Sequence, residues 1–235
     1  MREPVPAPST RAEHPSLPDV VDEATWYREL ERLLVTEKEL TRARDALAAR
    51  RRRMPMTAVR GDYRFVRPDG ETTLLGLFDG RRQLITYRFF YAPDVENWPD
   101  AACEGCSMFA DNLAHPAHLA ARDTSLALVT AAPQELVQSY QRRMGWNLPF
   151  ATTIDGFSDD FGVSEYFGIN VFLRDGDDVF RTYFLNWRGI ENVGTVWSLL
   201  DLTPFGRQER WEDSPAGRPQ GEPYTWWRLH DEYAG

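Results

Sequence analysis

Cys103 and Cys106 are the only cysteines in a chain of 235 residues, and they stand as a C-x-x-C motif. Paired thiols at this spacing suit two chemistries. A thiolate is the nucleophile of thiol–disulfide exchange, and a second thiol three positions on can attack the mixed disulfide that the first one forms. The same two sulfurs can also hold copper or zinc. A secreted domain stapled by disulfides would carry more cysteines at wider spacings. The primary expectation is therefore an enzyme, a dithiol–disulfide oxidoreductase that needs no cofactor, in which Cys103 attacks and Cys106 resolves. Glu104 and Gly105 fill the motif. A carboxylate beside Cys103 disfavours a second negative charge. Cys103 is thus expected to be less acidic than the thiol of a strong oxidant, and the pair to favour the reductant side.

The metal alternative has its own residues. His115 and His118 extend the motif to C-x2-C-x8-H-x2-H, so Cys103, Cys106, His115 and His118 form the candidate ligand set. The gap after Cys106 is shorter than in zinc fingers, and Pro116 interrupts the helix between the histidines. The two histidines are read first as residues of a helix-end loop. His14 and His230 are the other histidines in the chain. Asp155, Asp159 and Asp160 fall in a stretch with Gly and Ser and are read as solvated loop carboxylates without a role. Aromatic side chains make up 13% of the chain. They could line an apolar pocket, which defines a third class, a binding module. Core packing and anchoring of the tail are the simpler uses.

Positioning this motif requires particular elements. From Asp22, a plausible N-cap, the residues Trp26, Leu30, Leu33, Leu40 and Leu47 share one face of a long helix that fades in the arginine run 50–53. That run is read as a solvated helix end rather than an anion-binding patch. From Gly61 the period changes to two. Strands are expected over 63–67 and 72–78 around the Pro68-Asp69-Gly70 turn, and a central strand over 83–91. A loop with Pro93, Asp94, Asn97 and Pro99 leads into Cys103. A helix follows over 104–114, broken by Pro116, then a strand over 125–130 and a helix from Pro133 to Met144 closed by Gly145. Strands over 168–174 and 179–185 form a hairpin around Asp175-Gly176, followed by a helix over 190–201. The expected division is a disordered leader over 1–18, an N-terminal helical extension over 19–60, a domain over 61–202, and an aromatic C-terminal tail over 203–235 packed on that domain. Strands alternating with helices imply an α/β fold with a mixed central sheet flanked by helices. A C-x-x-C directly after a strand and at a helix start is the thioredoxin-like arrangement.

Composition sets further bounds. A net charge of −9 argues against a general nucleic-acid binder. No stretch reaches the roughly 18 apolar residues of a membrane span, and the Pro-rich start has no apolar core of a secretory signal. The expected compartment is the cytoplasm. No Gly-rich dinucleotide or nucleotide fingerprint is present, so electrons would come from a thiol reductant or partner. The expected partners are thiol or disulfide substrates, neither nucleic acid nor membrane, with a second copy of the chain through the long helix as an open alternative.

The segments 37–55 (EKELTRARDALAARRRRMP), 68–89, CEGCSMFADN (103–112), HLAARDTSLALV (118–129), LRDGDDVF (173–180), LDLTPFGRQERWE (200–212) and HDEY (230–233) resemble the family called domain of unknown function 899. That family is grouped with thioredoxin-like proteins and described as predicted dithiol–disulfide oxidoreductases. The resemblance implies a thioredoxin-like fold over nearly the whole chain. Two departures stand out. Thioredoxins carry a cis-proline facing the motif, where this chain has Gly168-Ile169-Asn170-Val171. Relatives often carry histidine where this chain has Arg181. The segment from Pro99 to Cys106 also resembles the peroxiredoxin frame P-x-x-x-T-x-x-C, with Cys103 at the threonine. This frame implies a peroxide reductase, with Arg88 or Arg181 as candidate thiolate stabilisers.

Overall fold

A computed structural model describes residues 16–163 and 167–233. The chain forms two compact units: residues up to Pro55 with Ser214–Pro219, and Met56–Asp213 with Gln220–Gly235. The leader expected over 1–18 lies largely outside the described residues, as does His14.

In the first unit, helix α1 spans Glu23–Arg51. Asp22 caps it by accepting from the Thr25 backbone N–H at 2.9 Å and the Thr25 hydroxyl at 2.8 Å, as its short carboxylate predicts. Arg50 and Arg51 occupy the last turn, where positive charge meets the negative end of the helix dipole. None of the helix residues is buried.

The second unit is built on one sheet. Its elements are β1 (Thr57–Ala58), β2 (Arg64–Arg67), β3 (Gly70–Thr73), β4 (Gln83–Arg88), α2 (Glu104–Asp111), α3 (Pro116–Ala120), β5 (Thr124–Thr130), α4 (Gln134–Arg143), β6 (Phe150–Thr153), α5 (Phe157–Asp160), β7 (Gly168–Asp175), β8 (Asp178–Asn186), α6 (Arg188–Glu191) and α7 (Thr195–Leu200). The strand order is β1-β8-β7-β4-β5-β6-β2-β3. β4 runs parallel to β5 and antiparallel to β7, and β7 and β8 form the expected hairpin. The segment β5-β4-β7-β8, with α2 leaving the end of β4, is the thioredoxin-like core that the sequence implies.

Alternation along the strands buries both faces. Tyr87, Phe89, Leu126, Leu128, Phe150 and Ile169 enter one apolar cluster, which α2, α4 and α7 cover with Cys106, Phe109, Val137, Tyr140 and Trp197. Leu84, Ala127, Val129 and Phe172 enter a second cluster on the other face, closed by Phe78, Phe157 and Phe161.

Several elements differ from the sequence reading. The strand expected over 72–78 ends at Thr73 and becomes a 3-10 turn over Gly76–Phe78. The chain folds back so tightly there that a Cβ on Gly76 would lie 2.1 Å from Thr72 Oγ1. β6 is a strand that the sequence reading did not include; pairing with β5 and β2 holds it in place. Pro133 is the N-cap of α4 rather than its first residue. The helix expected over 190–201 splits at Gly194, since Trp197 folds back over it and a Cβ would sit 2.0 Å from the ring. The expected break at Pro116 is there, and Pro116 opens the new helix α3. Asp155 and Asp160 are structural rather than merely solvated. Asp155 accepts from the Arg64 and Phe157 backbone N–H groups at 2.6 and 3.1 Å, and Asp160 accepts from the Tyr63 hydroxyl at 2.7 Å.

The tail does more than pin itself to the surface. Residues Ser214–Pro219 fall with the first unit. Further on, Leu229 is 1% exposed within the cluster that holds Tyr87 and Cys106. Leu229→Ala is therefore expected to destabilise the second unit by about 2–5 kcal/mol, the cost of an unfilled cavity in a core. Urea unfolding measures it, and a loss under about 0.5 kcal/mol would mean the tail is not seated there.

Candidate active site

The motif begins where the sheet ends. The chain leaves β4, and Phe90 brackets the two cysteines: its carbonyl accepts from the Cys103 N–H at 3.1 Å, and its N–H donates to Cys106 Sγ at 3.4 Å. Cys103 is the N-cap of α2, with extended backbone angles (φ −54°, ψ 128°), so the first free N–H groups of the helix face its sulfur. Both cysteines are free thiols; Cys103 is partly exposed and Cys106 is buried. Ser107 fixes the turn, its hydroxyl donating to the Cys103 carbonyl at 2.9 Å and lying 2.8 Å from the Tyr140 hydroxyl.

The environments push the two thiols apart. A hydrogen bond from the Cys106 thiol, aided by the backbone N–H groups of Cys106 and Gly105, pulls Cys103 down to about 7 against the opposing effects of burial and of Glu104. Burial pushes Cys106 well above the ordinary thiol range, and its hydrogen bond to Cys103 adds to this. The Tyr87 hydroxyl also hydrogen-bonds the Cys106 sulfur and favours its thiolate, a weaker effect than burial. Glu104 acts in the direction the sequence suggested, but its effect on Cys103 is smaller than those of burial and of the hydrogen bonds, and Arg228 of the tail lies 3.9 Å from its carboxylate.

The reactive form is deprotonated, so Cys103 should react faster as pH rises. Its iodoacetamide alkylation rate is expected to climb through a midpoint near pH 7 and to fall about tenfold per unit below it. Cys106→Ala removes the hydrogen-bond donor, and the midpoint should then move up toward the ordinary thiol value of about 8.5. A midpoint unchanged by that substitution would mean that the sulfur–sulfur hydrogen bond does not set the acidity of Cys103.

The histidine and Arg181 candidates lie elsewhere, whereas Arg88 stays within electrostatic reach of Cys106. His115 is the N-cap of α3, its Nδ1 accepting from the Ala117 N–H at 3.2 Å, and His118 lies in the last turn of that helix. His230 Nδ1 lies 2.8 Å from Asp111 Oδ1. Among the described residues no three His, Cys, Asp or Glu side chains come together as a metal set, so the four ligands of the metal alternative are not gathered. Arg88 follows Tyr87 in β4 and so faces the opposite side of the sheet. It is 5% exposed and donates to the Phe89 carbonyl at 3.0 Å. Burial lowers its pKa, and electrostatic interactions oppose this shift, first with the Cys106 thiolate when it forms and then with Asp94 and Asp159. Arg181 donates to the Phe161 carbonyl at 3.1 Å and stacks over the Phe161 and Phe184 rings, 5.3 and 4.8 Å from their centroids. The stretch without the family proline holds Gly168 opposite Arg88 and Ile169 opposite Tyr87. A Cβ at Gly168 would sit 2.3 Å from Val163 Cγ1, so a larger residue does not fit there. The Trp98–Pro99 peptide, in the loop before the motif, is cis.

Sequence reasoning missed the tail as part of the site. Trp227 lies so close over the motif that a Cβ on Gly105 would be 2.6 Å from its ring. Arg143 holds the tail end through Asp231 and Glu232, both at 2.8 Å. The clustering of Trp226, Trp227 and Arg228 before HDEY was the available signal.

A dithiol at the start of the helix that leaves the central strand of a β5-β4-β7-β8 core defines a thioredoxin-like protein with a C-x-x-C site. The chain belongs to the family described as "Bacterial protein of unknown function (DUF899)", which matches residues 15–233. A search of the curated proteins returned no match. Among solved structures, the chain is similar to a yeast mitochondrial 1-Cys peroxiredoxin, from work on its thiol resolving mechanism via glutathione/thioredoxin systems. The identity is 11% and the TM-score 0.36, over 63% of this chain and 78% of that one. The fold assignment rests on the strand order, not on this likeness. Among the described residues no helix is long and apolar enough to cross a membrane.

Proposed function

We propose that the protein is a thiol–disulfide oxidoreductase that reduces a disulfide through Cys103 and Cys106. The observation that carries this reading is the asymmetry of the pair. Cys103 is reachable and held near the thiolate form at neutral pH, while Cys106 is buried, protonated and hydrogen-bonded to it. The Cys103 thiolate attacks one sulfur of the substrate disulfide, and the other sulfur leaves as a thiolate that takes up a proton. Cys106 loses its proton, attacks Cys103 Sγ and releases the second substrate thiol. The substrate gains two electrons, and the protein is left with a Cys103–Cys106 disulfide. A peroxide reductase on the Pro99–Cys106 frame would have to use the buried, less acidic Cys106 as its attacking thiol, so the geometry favours the dithiol reading. The test equilibrates the protein with glutathione buffers of varied ratio and counts free thiols by mass. A single two-electron transition with the loss of two protons supports the reading. Failure of the two cysteines to form an intramolecular disulfide in any buffer would overturn it.

A further inference from the structure

Trp26, Leu33, Leu40 and Leu47 recur every seven residues along α1, so they form one seam down a helix of 29 residues, about 43 Å long. Leu30 and Leu34 stand beside them and widen the stripe. None of these side chains is buried, and the four heptad residues are 43 to 56% exposed. An apolar position repeated four times at this spacing is the signature of a coiled-coil seam, and most helical stability in proteins comes from packing such a face. Two charges interrupt the stripe. Glu37 and Arg44 stand at the alternate seam positions, four residues after Leu33 and Leu40. They are one heptad apart, about 10 Å along the axis, which is too far for them to pair on one helix. The charge of the helix is also divided end from end. Residues 23–37 hold four carboxylates against two arginines, and residues 38–51 hold five basic side chains against two carboxylates.

We propose that this stripe is the docking surface for α1 of a second copy of the chain, laid antiparallel. With the two-fold axis between positions 38 and 39, every seam residue meets another. Leu30 then meets Leu47 of the second copy, Leu33 meets its Arg44, and Glu37 meets its Leu40. The same register brings Glu37 within one turn of Arg44 of the second copy, twice by symmetry, so the two seam charges compensate each other. It also lays the acidic half of each helix on the basic half of the other. A parallel pair would set Glu37 on Glu37 and Arg44 on Arg44, with acidic half on acidic half, and like-charge repulsion opposes that arrangement. The apolar spacing thus selects a helix as the occupant, and the order of charges selects this same helix running the other way. The assignment does not depend on what the thiols do.

The test measures the mass of the full chain by sedimentation equilibrium, and near-UV circular dichroism verifies that each variant is folded. The wild type is expected at twice the chain mass, with a dissociation constant in or below the micromolar range. Leu33→Glu combined with Leu40→Glu should give a monomer. Both sites are exposed, so the two changes leave the core of the chain alone. Glu37→Arg should weaken the dimer at least about tenfold, because it sets cation against cation at two symmetric places. Arg44→Glu should weaken it to a similar degree by setting carboxylate against carboxylate. Combining Glu37→Arg with Arg44→Glu restores opposite charges across the seam and should return the affinity to within about threefold of the wild type. A wild type that stays monomeric, or that forms a larger assembly, overturns the proposal and means that something other than one second copy covers the stripe. A dimer that survives in the folded Leu33→Glu, Leu40→Glu variant overturns it by moving the contact off α1. A charge-exchanged variant as weak as either single change overturns the antiparallel arrangement.

Discussion

Cys103→Ser is expected to lower disulfide reduction at least about 100-fold, to the uncatalysed level, because a serine hydroxyl is not ionised at neutral pH and cannot replace a thiolate as nucleophile. Cys106→Ser should behave differently. Its Cys103 remains partly exposed at the start of α2, so the first attack still occurs, but no thiol is left to resolve the product. The variant should accumulate as a mixed disulfide, one substrate half per chain, visible by mass and reversed by added reductant. Turnover is lost in both variants, yet only Cys106→Ser traps substrate. The opposite pattern, trapping in Cys103→Ser and none in Cys106→Ser, would make Cys106 the attacking thiol. It would move the chemistry to the peroxiredoxin-like frame that begins at Pro99.

Gly105→Ala is expected to cost about 1–3 kcal/mol, the usual cost of forcing a methyl group into packed space. The sign is informative. In an ordinary helical position the same change stabilises by roughly 1 kcal/mol, since alanine is the better helix former. Here the new Cβ would lie 2.6 and 2.8 Å from two atoms of the Trp227 ring. Either α2 or the tail must give way. Combining Gly105→Ala with Trp227→Leu should recover most of the loss relative to Trp227→Leu alone, a coupling that a double-mutant cycle in urea measures. A stabilised Gly105→Ala would mean that Trp227 does not rest on the motif in solution. The contact also gives a physical reason for the motif's composition: with an indole packed over it, the second residue between the cysteines has to be glycine.

Much of the site was legible locally. The alternation over 83–91, the Pro- and Asn-containing loop, and Glu104 at a helix start placed Cys103 and Cys106 at a strand-to-helix junction, because each of those signals depends on residues within a turn or two. The hairpin around Asp175-Gly176 and the cap at Asp22 were readable for the same reason. The short strand β6 was not, since its conformation comes from neighbours on both sides rather than from its own four residues.

What the amino-acid order determined by itself is therefore the motif, its place at the head of a helix, and the thioredoxin-like order of elements around it. Tertiary structure decided which thiol is exposed and which is buried. It also brought Trp227 and Leu229 from the far end of the chain onto the motif and its core. The reason is the same in each case. Burial and thiol acidity depend on atoms that meet only once strands and tail have packed, and no local spacing encodes contacts made across more than a hundred residues.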